Sequence, residues 1–386
     1  MKTIIFHHGL LLLLSMVVCT LSSRVDNKYD LPSDLELRMV NIVFRHGDRT
    51  PEKFYGETYP NDPYINETYY PIGYGALTEK GKKRAYLLGK FLCKRYKTFL
   101  GRKYYPHDVI ARSTDVNRTK MTLQFVLNGL FPEHSIQQKW KPIPIIYDEK
   151  KNFLQMSTSC SKVQKMVSEI RKLPEVKELT NEFKPLWKNL SKFTGENITR
   201  SSEAHILYNT LISHQSMSLP LPQWANETLF SKKFIKSVSF SVLLRNYNET
   251  LKKMNGGRLL RKMTEDMIAR KKGLLKRGKR INLYSAHDTN VAAHLLALGV
   301  TKPHQPYYTS TVILELYRDK EDNYYVQVVH YKGYSNNVKI LKIPNCSSNI
   351  YGMCKFTKFL KLMKHVIPTD NELKCCDYDL ENCSII

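Results

Sequence analysis

The sequence of 386 residues contains no Cys-X-X-Cys pair, no internal repeat and no low-complexity tract. The lack of the Cys-X-X-Cys spacing argues against a structural zinc site, and ordinary glycine and proline contents argue against a disordered or fibrous protein. After the N-terminal apolar segment, no run is apolar and long enough to cross a membrane, so stable membrane insertion is not expected. A globular protein remains, with two domains or with one large domain that carries an insertion.

Acidic residues are also scarce, with 35 against 60 basic residues, and the formal net charge is +25. Such a charge favours contact with acidic surfaces, glycosaminoglycans or phosphorylated ligands. The basic residues are scattered, and a solvated face explains short clusters such as residues 270–281 better than a nucleic-acid site does. Because no nucleic-acid-binding motif accompanies them, no nucleic acid is expected among the partners.

The N-terminal residues 1–22 have the pattern of a secretory signal peptide. Lys2 supplies a positive charge, residues 9–21 are mostly apolar, and small residues precede an expected cleavage near Ser23. We therefore expect a secreted, extracellular protein that carries glycans and disulfides. The sequons at which we predict glycosylation are those of Asn66, Asn189, Asn197, Asn226, Asn248 and Asn345.

Hydrophobic patterns divide the chain into strand–helix units that flank a more helical middle part. Strands are predicted at residues 39–44, 107–114 and 280–290, each followed by a helix, and a β-hairpin comes after the third unit. This order indicates an α/β domain over residues 23–159 and 273–386, with a smaller, mainly helical domain inserted over residues 160–272.

The three predicted strands end in charged or ionisable side chains, where neutral turn residues are usual. These side chains are Arg45, His46 and Arg49 after the first strand, Arg112 after the second, and His287 and Asp288 after the third. Ligands of open α/β sheets bind beyond the carboxyl ends of the strands, so we expect the three groups to meet in one pocket. A pocket so rich in positive charge is predicted to bind an anion.

The residue types in this pocket suit the transfer of a phosphoryl group. Arginine side chains bind phosphate oxygens through paired hydrogen bonds, a histidine can attack phosphorus, and a carboxylic acid can protonate the leaving oxygen. Each residue also has a simpler explanation, such as a surface arginine or an aspartate that caps a helix. Their coincidence at the strand ends favours a catalytic site. No metal ion or cofactor is expected, because no metal-binding set is visible in these segments.

Three segments resemble motifs of the histidine acid phosphatases. Residues 45–51, RHGDRTP, resemble the RHGxRxP signature, and residues 285–290, SAHDTN, resemble the distal HD motif of that family. Residues 111–119, ARSTDVNRT, are similar to the family segment that supplies a further phosphate-binding arginine. The resemblance extends from about residue 35 to the C-terminal cysteines. Segments such as LPLPQWANETLF look like the secreted insect branch, which includes hymenopteran venom acid phosphatases.

The resemblance implies a phosphoglycerate-mutase-like α/β fold, in which helices flank a mixed, mostly parallel sheet and a smaller helical domain is inserted. It implies an acid phosphatase that hydrolyses small phosphate monoesters through a phosphohistidine at His46, while Asp288 protonates the leaving group. The residues that would hold the phosphoryl oxygens are Arg45, Arg49, Arg112 and His287. Asp48 is instead expected to order the loop. Family relatives are often homodimers, although no interface is identified in this sequence.

The resemblance also suggests how the cysteines pair. It implies one disulfide between Cys346 and Cys354, and another between Cys160 and either Cys375 or Cys376. The cysteines after the signal segment are odd in number, so one thiol is left over. Cys93, on a predicted helix face, is the candidate for a buried free thiol. A further sequon at Asn117 is expected to be less accessible than the others, because it lies within the motif segment.

The predicted pocket favours an acidic pH optimum. Clustered arginines disfavour another positive charge and keep His46 neutral below its usual pKa of about 6.5. The same arginines favour the ionised form of Asp288, whereas a bound phosphate anion and a low pH favour the protonated form that can donate.

Two alternatives stay open at the level of the sequence. A phytase-like preference for inositol polyphosphates would use the same chemistry and would suit the high positive charge. A non-catalytic secreted protein could instead use the arginine pocket and the basic surface to capture acidic ligands. The intact His46 and Asp288 favour an enzyme over such a binding protein.

Overall fold

One mixed β-sheet runs through the part of the chain that the computed structural model describes, which comprises residues 34–101, 103–132, 143–147, 153–157, 160–275, 278–333, 338–346 and 351–378. The predicted signal peptide lies outside the described residues. The strands are β1 (Glu36–Arg45), β2 (Val109–Ser113), β3 (Ile281–Ala286), β4 (Thr311–Arg318), β5 (Tyr324–Tyr331), β6 (Val338–Leu341) and β7 (Cys354–Lys355). Their order in the sheet is β2-β3-β1-β4-β5-β6, and β7 pairs with β5.

Parallel pairing is confined to one side of this sheet. β3 lies between β2 and β1 and is parallel to both, whereas the pairings of β4 to β7 are all antiparallel. The predicted mixed α/β sheet flanked by helices is confirmed. The expectation that it is mostly parallel needs correction, because antiparallel pairings are the majority among the described strands. The physical reason is the short loop 319–323 between β4 and β5, which is long enough for a hairpin but not for a crossover.

The carboxyl ends of the three parallel strands lie side by side. Arg45 at the end of β1 pairs with Ala286 of β3, and Ser113 of β2 pairs with Ser285. β3 is shorter than predicted and ends at Ala286, because His287 is the N-cap of the helix that begins at Asp288. The side chains that follow these strands therefore emerge at one edge of the sheet.

Helices cover both faces of the sheet. They are α1 (Glu79–Leu100), α2 (Asn117–Leu130), α3 (Ser161–Ile170), α4 (Pro174–Thr194), α5 (Ser201–Ser216), α6 (Gln223–Leu229), α7 (Lys232–Leu244), α8 (Glu249–Lys252), α9 (Arg258–Lys271), α10 (Asp288–Ala297), α11 (Phe356–Met363) and α12 (Asp370–Asp377). No helix among the described residues is long and apolar enough to span a membrane.

The alternation of β1 separates the two helical layers. Val40 and Ile42 pack in one core with α1 and α2, whereas Met39 and Val43 pack in another core with α9, α10 and α11. Successive side chains of a strand point to opposite faces, so a continuously apolar strand of this kind is covered on both sides. β1 is thereby fixed rigidly behind the charged residues that follow it.

Helices α3 to α8 share a separate core, in which Phe183, Trp187 and Phe234 are fully buried. The disulfide between Cys160 and Cys376 joins the start of α3 to α12. Helix α9 packs instead on the sheet, although it falls within the predicted helical insertion. The domain boundaries remain a prediction.

The structure contains the disulfides Cys160–Cys376 and Cys346–Cys354, which match the expected pairings. Cys93 is also disulfide-bonded, so the expectation that it is a free thiol is wrong. An odd number of cysteines shows that one is left over but does not identify which one. Among the described residues no cysteine is free.

Most of the predicted glycosylation sites lie on the surface. Exposed sequon asparagines are Asn66, Asn189, Asn197, Asn226 and Asn345. Asn248 is half-buried, and its side chain caps α8 by accepting a hydrogen bond from the backbone N–H of Leu251 at 2.9 Å. Asn117 is exposed, contrary to expectation, whereas the two residues that follow it in α2, Arg118 and Thr119, are buried. Glycosylation at these positions remains a prediction.

Two glycines hold the loop after β1 against the start of α1. A Cβ atom at Gly47 would lie 2.5 Å from the carbonyl oxygen of Gly81, and a Cβ atom at Gly81 would overlap the carbonyl oxygen of Asp48. The hydroxyl of Thr78 accepts from the N–H of Gly81 and donates to the Asp48 carbonyl oxygen, both at 3.1 Å. Only glycine allows this close approach, which fixes the position of the loop.

Candidate active site

The loop after β1 and the N-terminus of α10 form one buried pocket. Five of the predicted site residues meet there: Arg45, His46, Arg49 and Asp288, which are buried, and His287, which is half-buried. The ring centroids of His46 and His287 are 5.6 Å apart, and the guanidinium of Arg45 lies 3.0 Å from the carboxylate of Asp288. The predicted convergence of the first and third strand ends is therefore present.

His46 is held from both sides by backbone groups. Its N–H donates to the carbonyl oxygen of Ala286 at 3.0 Å, and its ring Nδ1 lies 2.8 Å from the carbonyl oxygen of Gly47. Since a carbonyl oxygen only accepts, Nδ1 carries the proton and Nε2 keeps its lone pair in the neutral ring. Burial lowers the pKa of His46 well below its ordinary value, and the charges of Arg118 and Arg45 lower it further. The ring is therefore neutral and nucleophilic at Nε2.

Asp288 is surrounded by groups that stabilise its carboxylate. Its Oδ2 lies 3.0 Å from an Nη atom of Arg45 and accepts a hydrogen bond from the side-chain amide of Gln305 at 2.7 Å. Its Oδ1 accepts from the backbone N–H of Thr289 at 2.7 Å. Burial raises the pKa of Asp288, but the neighbouring positive charges, with Arg45 first, outweigh burial and hold the pKa below its usual range.

Two further arginines are held by carboxylates of the loop over residues 51–75. Arg49 donates to both carboxylate oxygens of Glu57, at 2.5 and 2.7 Å, and Arg118 donates to Glu52 at 2.8 Å. Burial lowers the pKa of Arg49, but Glu57 outweighs this and raises it. Burial and the charge of Arg49 lower the pKa of Arg118. The loop carboxylates thus offset part of the repulsion within the pocket.

The arginines of the pocket still have donors without acceptors. The Nε–H groups of Arg45, Arg49 and Arg118 are buried and have no hydrogen-bond acceptor within the described part of the chain. A buried donor of a charged group is costly when it is unpaired. A tetrahedral oxyanion such as a phosphoryl group carries several acceptors and a charge of the required sign. The arrangement therefore suits a phosphoryl group.

His287 contributes a neutral ring to the same pocket. Its Nε2 lies 3.1 Å from the hydroxyl of Thr114, which follows β2. Burial lowers the pKa of His287 to about 3, with a further contribution from the charge of Arg118. His287 is therefore a hydrogen-bonding group rather than a positive charge over most of the pH range.

Arg112 does not join the pocket, which corrects its predicted role. Its guanidinium lies 5.2 Å from the centre of the Phe153 ring. Side chains of a strand alternate between its two faces, so Arg112 points to the face of β2 opposite that of the residues before and after it. Arg118 of the same motif takes its place. It lies on the buried face of α2, one turn before Thr122, whose hydroxyl accepts from the N–H of Gly47 at 3.0 Å. The sequence did contain a signal for the role of Arg118, because this arginine falls on the helix face of α2 that is otherwise formed by residues expected to be buried.

Other residues of the site had no signal in the sequence. Glu52 and Glu57 come from an irregular loop without periodicity, and Gln305 comes from the segment between α10 and β4. Tyr308 of the same segment places its ring 4.3 Å from the guanidinium of Arg45. Asp48 behaves as expected, because its carboxylate forms a 2.6 Å ion pair with Arg84 and so orders the loop.

The His, Cys, Asp and Glu side chains are the usual protein ligands of metal ions. Within the described ranges, no three or more of them come together in a way that could hold a metal ion.

Comparisons with known sequences point to one family. A model of the histidine phosphatase superfamily (branch 2) matches residues 36–331. A venom acid phosphatase of Apis mellifera is 36% identical over 346 residues, which is 88% of each chain. A lysosomal acid phosphatase of Xenopus laevis is 32% identical over 94% of this chain and 83% of its own length. Human prostatic acid phosphatase is 30% identical over 88% of each chain.

Solved structures show a similar fold at low sequence identity. A phytase of Hafnia alvei in complex with myo-inositol hexakis sulphate superposes with a TM-score of 0.68 at 18% identity, covering 87% of this chain and 98% of the other. A Klebsiella phytase superposes with a TM-score of 0.65 at 17% identity. At such identities the likeness concerns the fold alone.

The exchange of roles between Arg112 and Arg118 can be tested with two matched variants. We expect Arg118→Ala to lower kcat/KM for a simple aryl phosphate about 100- to 1000-fold, because it removes one charged donor from the pocket. Arg112→Ala removes the same charge outside the pocket, and we expect a change of less than about threefold. Steady-state kinetics on both proteins measures this. Equal losses in the two variants would contradict the assignment.

Proposed function

Since the chain belongs to branch 2 of the histidine phosphatase superfamily and is an acid phosphatase, we propose that it hydrolyses phosphate monoesters through a covalent phosphohistidine at His46. The observation that carries this proposal is the fixed tautomer of His46, whose Nδ1–H donates to the Gly47 carbonyl oxygen at 2.8 Å. The free lone pair of Nε2 then belongs to a neutral ring among buried arginines. A neutral nucleophile beside a positively charged phosphate site is what attack on phosphorus requires.

In the first step, Nε2 of His46 attacks phosphorus as the bond between phosphorus and the leaving oxygen breaks. Asp288 donates its proton to that oxygen, so the product leaves as an alcohol and Asp288 becomes a carboxylate. Arg45, Arg49 and Arg118 neutralise the charge on the phosphoryl oxygens, and His287 hydrogen-bonds to them. The contact between Arg45 and Asp288 links phosphate binding to the protonation of Asp288.

In the second step, water attacks the phosphorus of phosphohistidine and the bond to Nε2 breaks. The Asp288 carboxylate formed in the first step accepts the proton of the attacking water. Inorganic phosphate leaves, and His46 is again neutral with its lone pair free. Asp288 is then protonated again, and this proton leaves with inorganic phosphate, so the free enzyme returns to an ionised Asp288.

The substrates that we propose are small phosphate monoesters in general. The relatives named as acid phosphatases, at 30 to 36% identity, support this class. A phytase-like preference is not proposed, because the phytase structures resemble this chain in fold only and no described residue favours inositol polyphosphates. The capture of acidic ligands without catalysis is set aside, because the chain is an enzyme of the family.

We propose that the protein is secreted. The pattern of residues 1–22, the exposed sequons and disulfides such as Cys160–Cys376 and Cys346–Cys354 support an extracellular location. The Apis mellifera relative is named as a venom protein, whereas other relatives are named as lysosomal, so the choice depends on the N-terminal pattern. A homodimer remains a prediction.

The phosphohistidine proposal is tested with His46→Ala. We expect hydrolysis of an aryl phosphate to fall by at least about 10⁴-fold, because the nucleophile is removed while the arginines remain. Circular dichroism should show an unchanged fold. Rapid mixing of the wild-type enzyme with radiolabelled substrate, followed by an alkaline denaturing quench, should leave label on the protein and none on the variant. Label on both proteins, or on neither, would contradict the proposal.

Because Asp288 is the proposed proton donor, the loss of activity in Asp288→Asn should depend on the leaving group of the substrate. An alkyl phosphate has a basic leaving oxygen, and we expect its hydrolysis to fall about 10²- to 10⁴-fold. A nitrophenyl phosphate needs little protonation of its leaving oxygen, so its first step should fall far less. Pre-steady-state release of the alcohol or phenol measures that step. An equal loss for both substrates would refute proton donation by this residue.

The pH dependence follows from the lowered pKa of Asp288. The free enzyme holds an ionised Asp288 over most of the pH range, so the required proton arrives with the monoanion of the substrate. Phosphate monoesters lose that proton with a pKa of about 6. We therefore expect kcat/KM to be largest on the acidic side and to fall about tenfold per unit above that pKa. A profile that peaked above neutrality would be inconsistent with this chemistry.

A further inference from the structure

A second basic site lies on the helical part of the molecule. A surface cavity of about 360 Å³ opens between the end of α3, one face of α4, the start of α5 and the end of α7. Its basic lining residues are Arg171, Lys177, Lys184 and Arg200. None of them belongs to the arginine pocket at the end of β1. We call this feature the α4 cavity.

One face of α4 supplies most of the α4 cavity. Lys177, Asn181 and Lys184 follow one another at helical spacing, so their side chains project on the same side. Trp187, one turn further, forms part of the wall, and its indole N–H donates to Ser237 at 2.8 Å. The cationic groups are therefore mounted on a helix that the helical core holds in place.

The charges of the α4 cavity are mostly unpaired. Arg171, Lys177 and Lys184 form no ion pair with any residue in the described ranges, and no carboxylate lines the cavity. Arg200 is the exception, because its guanidinium donates to Glu203 at 2.6 and 2.8 Å. Elsewhere on this surface, lysines such as Lys236 pair with neighbouring carboxylates. The concentration of unpaired cations in a concave site is thus a local feature.

Neutral polar groups complete the lining of the α4 cavity. Ser201, the first residue of the 16-residue helix α5, lines the cavity. The carboxylate of Glu203 in the first turn already accepts from the backbone N–H of Arg200 at 3.0 Å, so this helix end adds little positive potential. The amide of Asn181 and the hydroxyl of Thr180 supply hydrogen-bonding groups. The cations and these neutral donors therefore point to an anionic ligand.

We propose that the α4 cavity binds a small carbohydrate that carries two or more sulfate esters. Lys177 and Lys184 are seven residues apart, which separates their backbones by about 10 Å along the helix axis, a span that suits a ligand with more than one charged group. A volume of about 360 Å³ suits a ligand of one or two sugar rings. Phosphate esters offer the same charge, but the proposed activity of this enzyme would hydrolyse them. Sulfate esters persist beside a phosphatase, and this part of the inference rests on the proposed function.

Binding is measured directly with a trisulfated heparin-type disaccharide, by calorimetric titration of the full chain. We expect Lys177→Gln/Lys184→Gln to raise Kd about five- to thirtyfold, because it removes two of the proposed contacts. The matched control is Lys232→Gln/Lys233→Gln, which removes two exposed charges about three turns from the end of α7 that lines the cavity. The control should change Kd by less than about twofold. Hydrolysis of an aryl phosphate should be unchanged in both variants.

Any one of four results would overturn the proposal. Equal losses of affinity in the two variants would show diffuse attraction to a basic surface. The disaccharide would lie in the arginine pocket if it inhibited aryl phosphate hydrolysis competitively and if Lys177→Gln/Lys184→Gln left the inhibition constant unchanged. Binding of the unsulfated disaccharide with the same Kd would contradict a site for several sulfate esters. So would binding of inorganic phosphate that Lys177→Gln/Lys184→Gln weakens as strongly as it weakens binding of the trisulfated disaccharide. The calorimetric results do not depend on His46, so the proposed function is tested separately.

Discussion

Arg45 and Ala286 end two neighbouring parallel strands in the same register, and the N–H of His46 donates to the carbonyl oxygen of Ala286. This alignment places the proposed nucleophile of one strand end beside the proposed acid that follows the other. The strands are covered by helices on both faces, so neither end can move without disturbing a core. A one-residue shift of the register would separate Arg45 from Asp288 and turn each side chain to the other face.

The same alignment creates an electrostatic problem, because it brings several arginines together in a buried place. The structure meets this problem with carboxylates of two kinds. Glu52 and Glu57 bind arginines from the side of the loop, whereas Asp288 contacts Arg45 directly. Burial, together with the remaining excess of positive charge, keeps His46 and His287 neutral, and the positive charge favours the arrival of an anionic substrate. The same positive charge thus contributes both to substrate binding and to the neutral state of His46.

The sequence was sufficient to predict site residues and the fold class where hydrophobic periodicity and strand topology together determine the position of a residue. Residues that directly follow an apolar strand, such as His46, emerge at a known edge of the sheet, and the mixed α/β class follows from the order of the strand–helix units. The sequence predicted the wrong position for Arg112. Which face of a short strand a side chain occupies depends on the strand register, and a sequence pattern alone does not determine that register. Glu57 could not be predicted at all, since an irregular loop places its residues through tertiary contacts.

The loop that carries Glu52 and Glu57 also presents Phe54 and Tyr55 to solvent, with 87% and 61% of their surfaces exposed. One short segment therefore faces outward with aromatic rings and inward with the carboxylates that hold Arg49 and Arg118. A loop graft from a related enzyme would exchange both surfaces together. Evolution and protein engineers can consequently vary the outer residues one at a time, but deletion or replacement of the whole segment would release two arginines of the catalytic pocket.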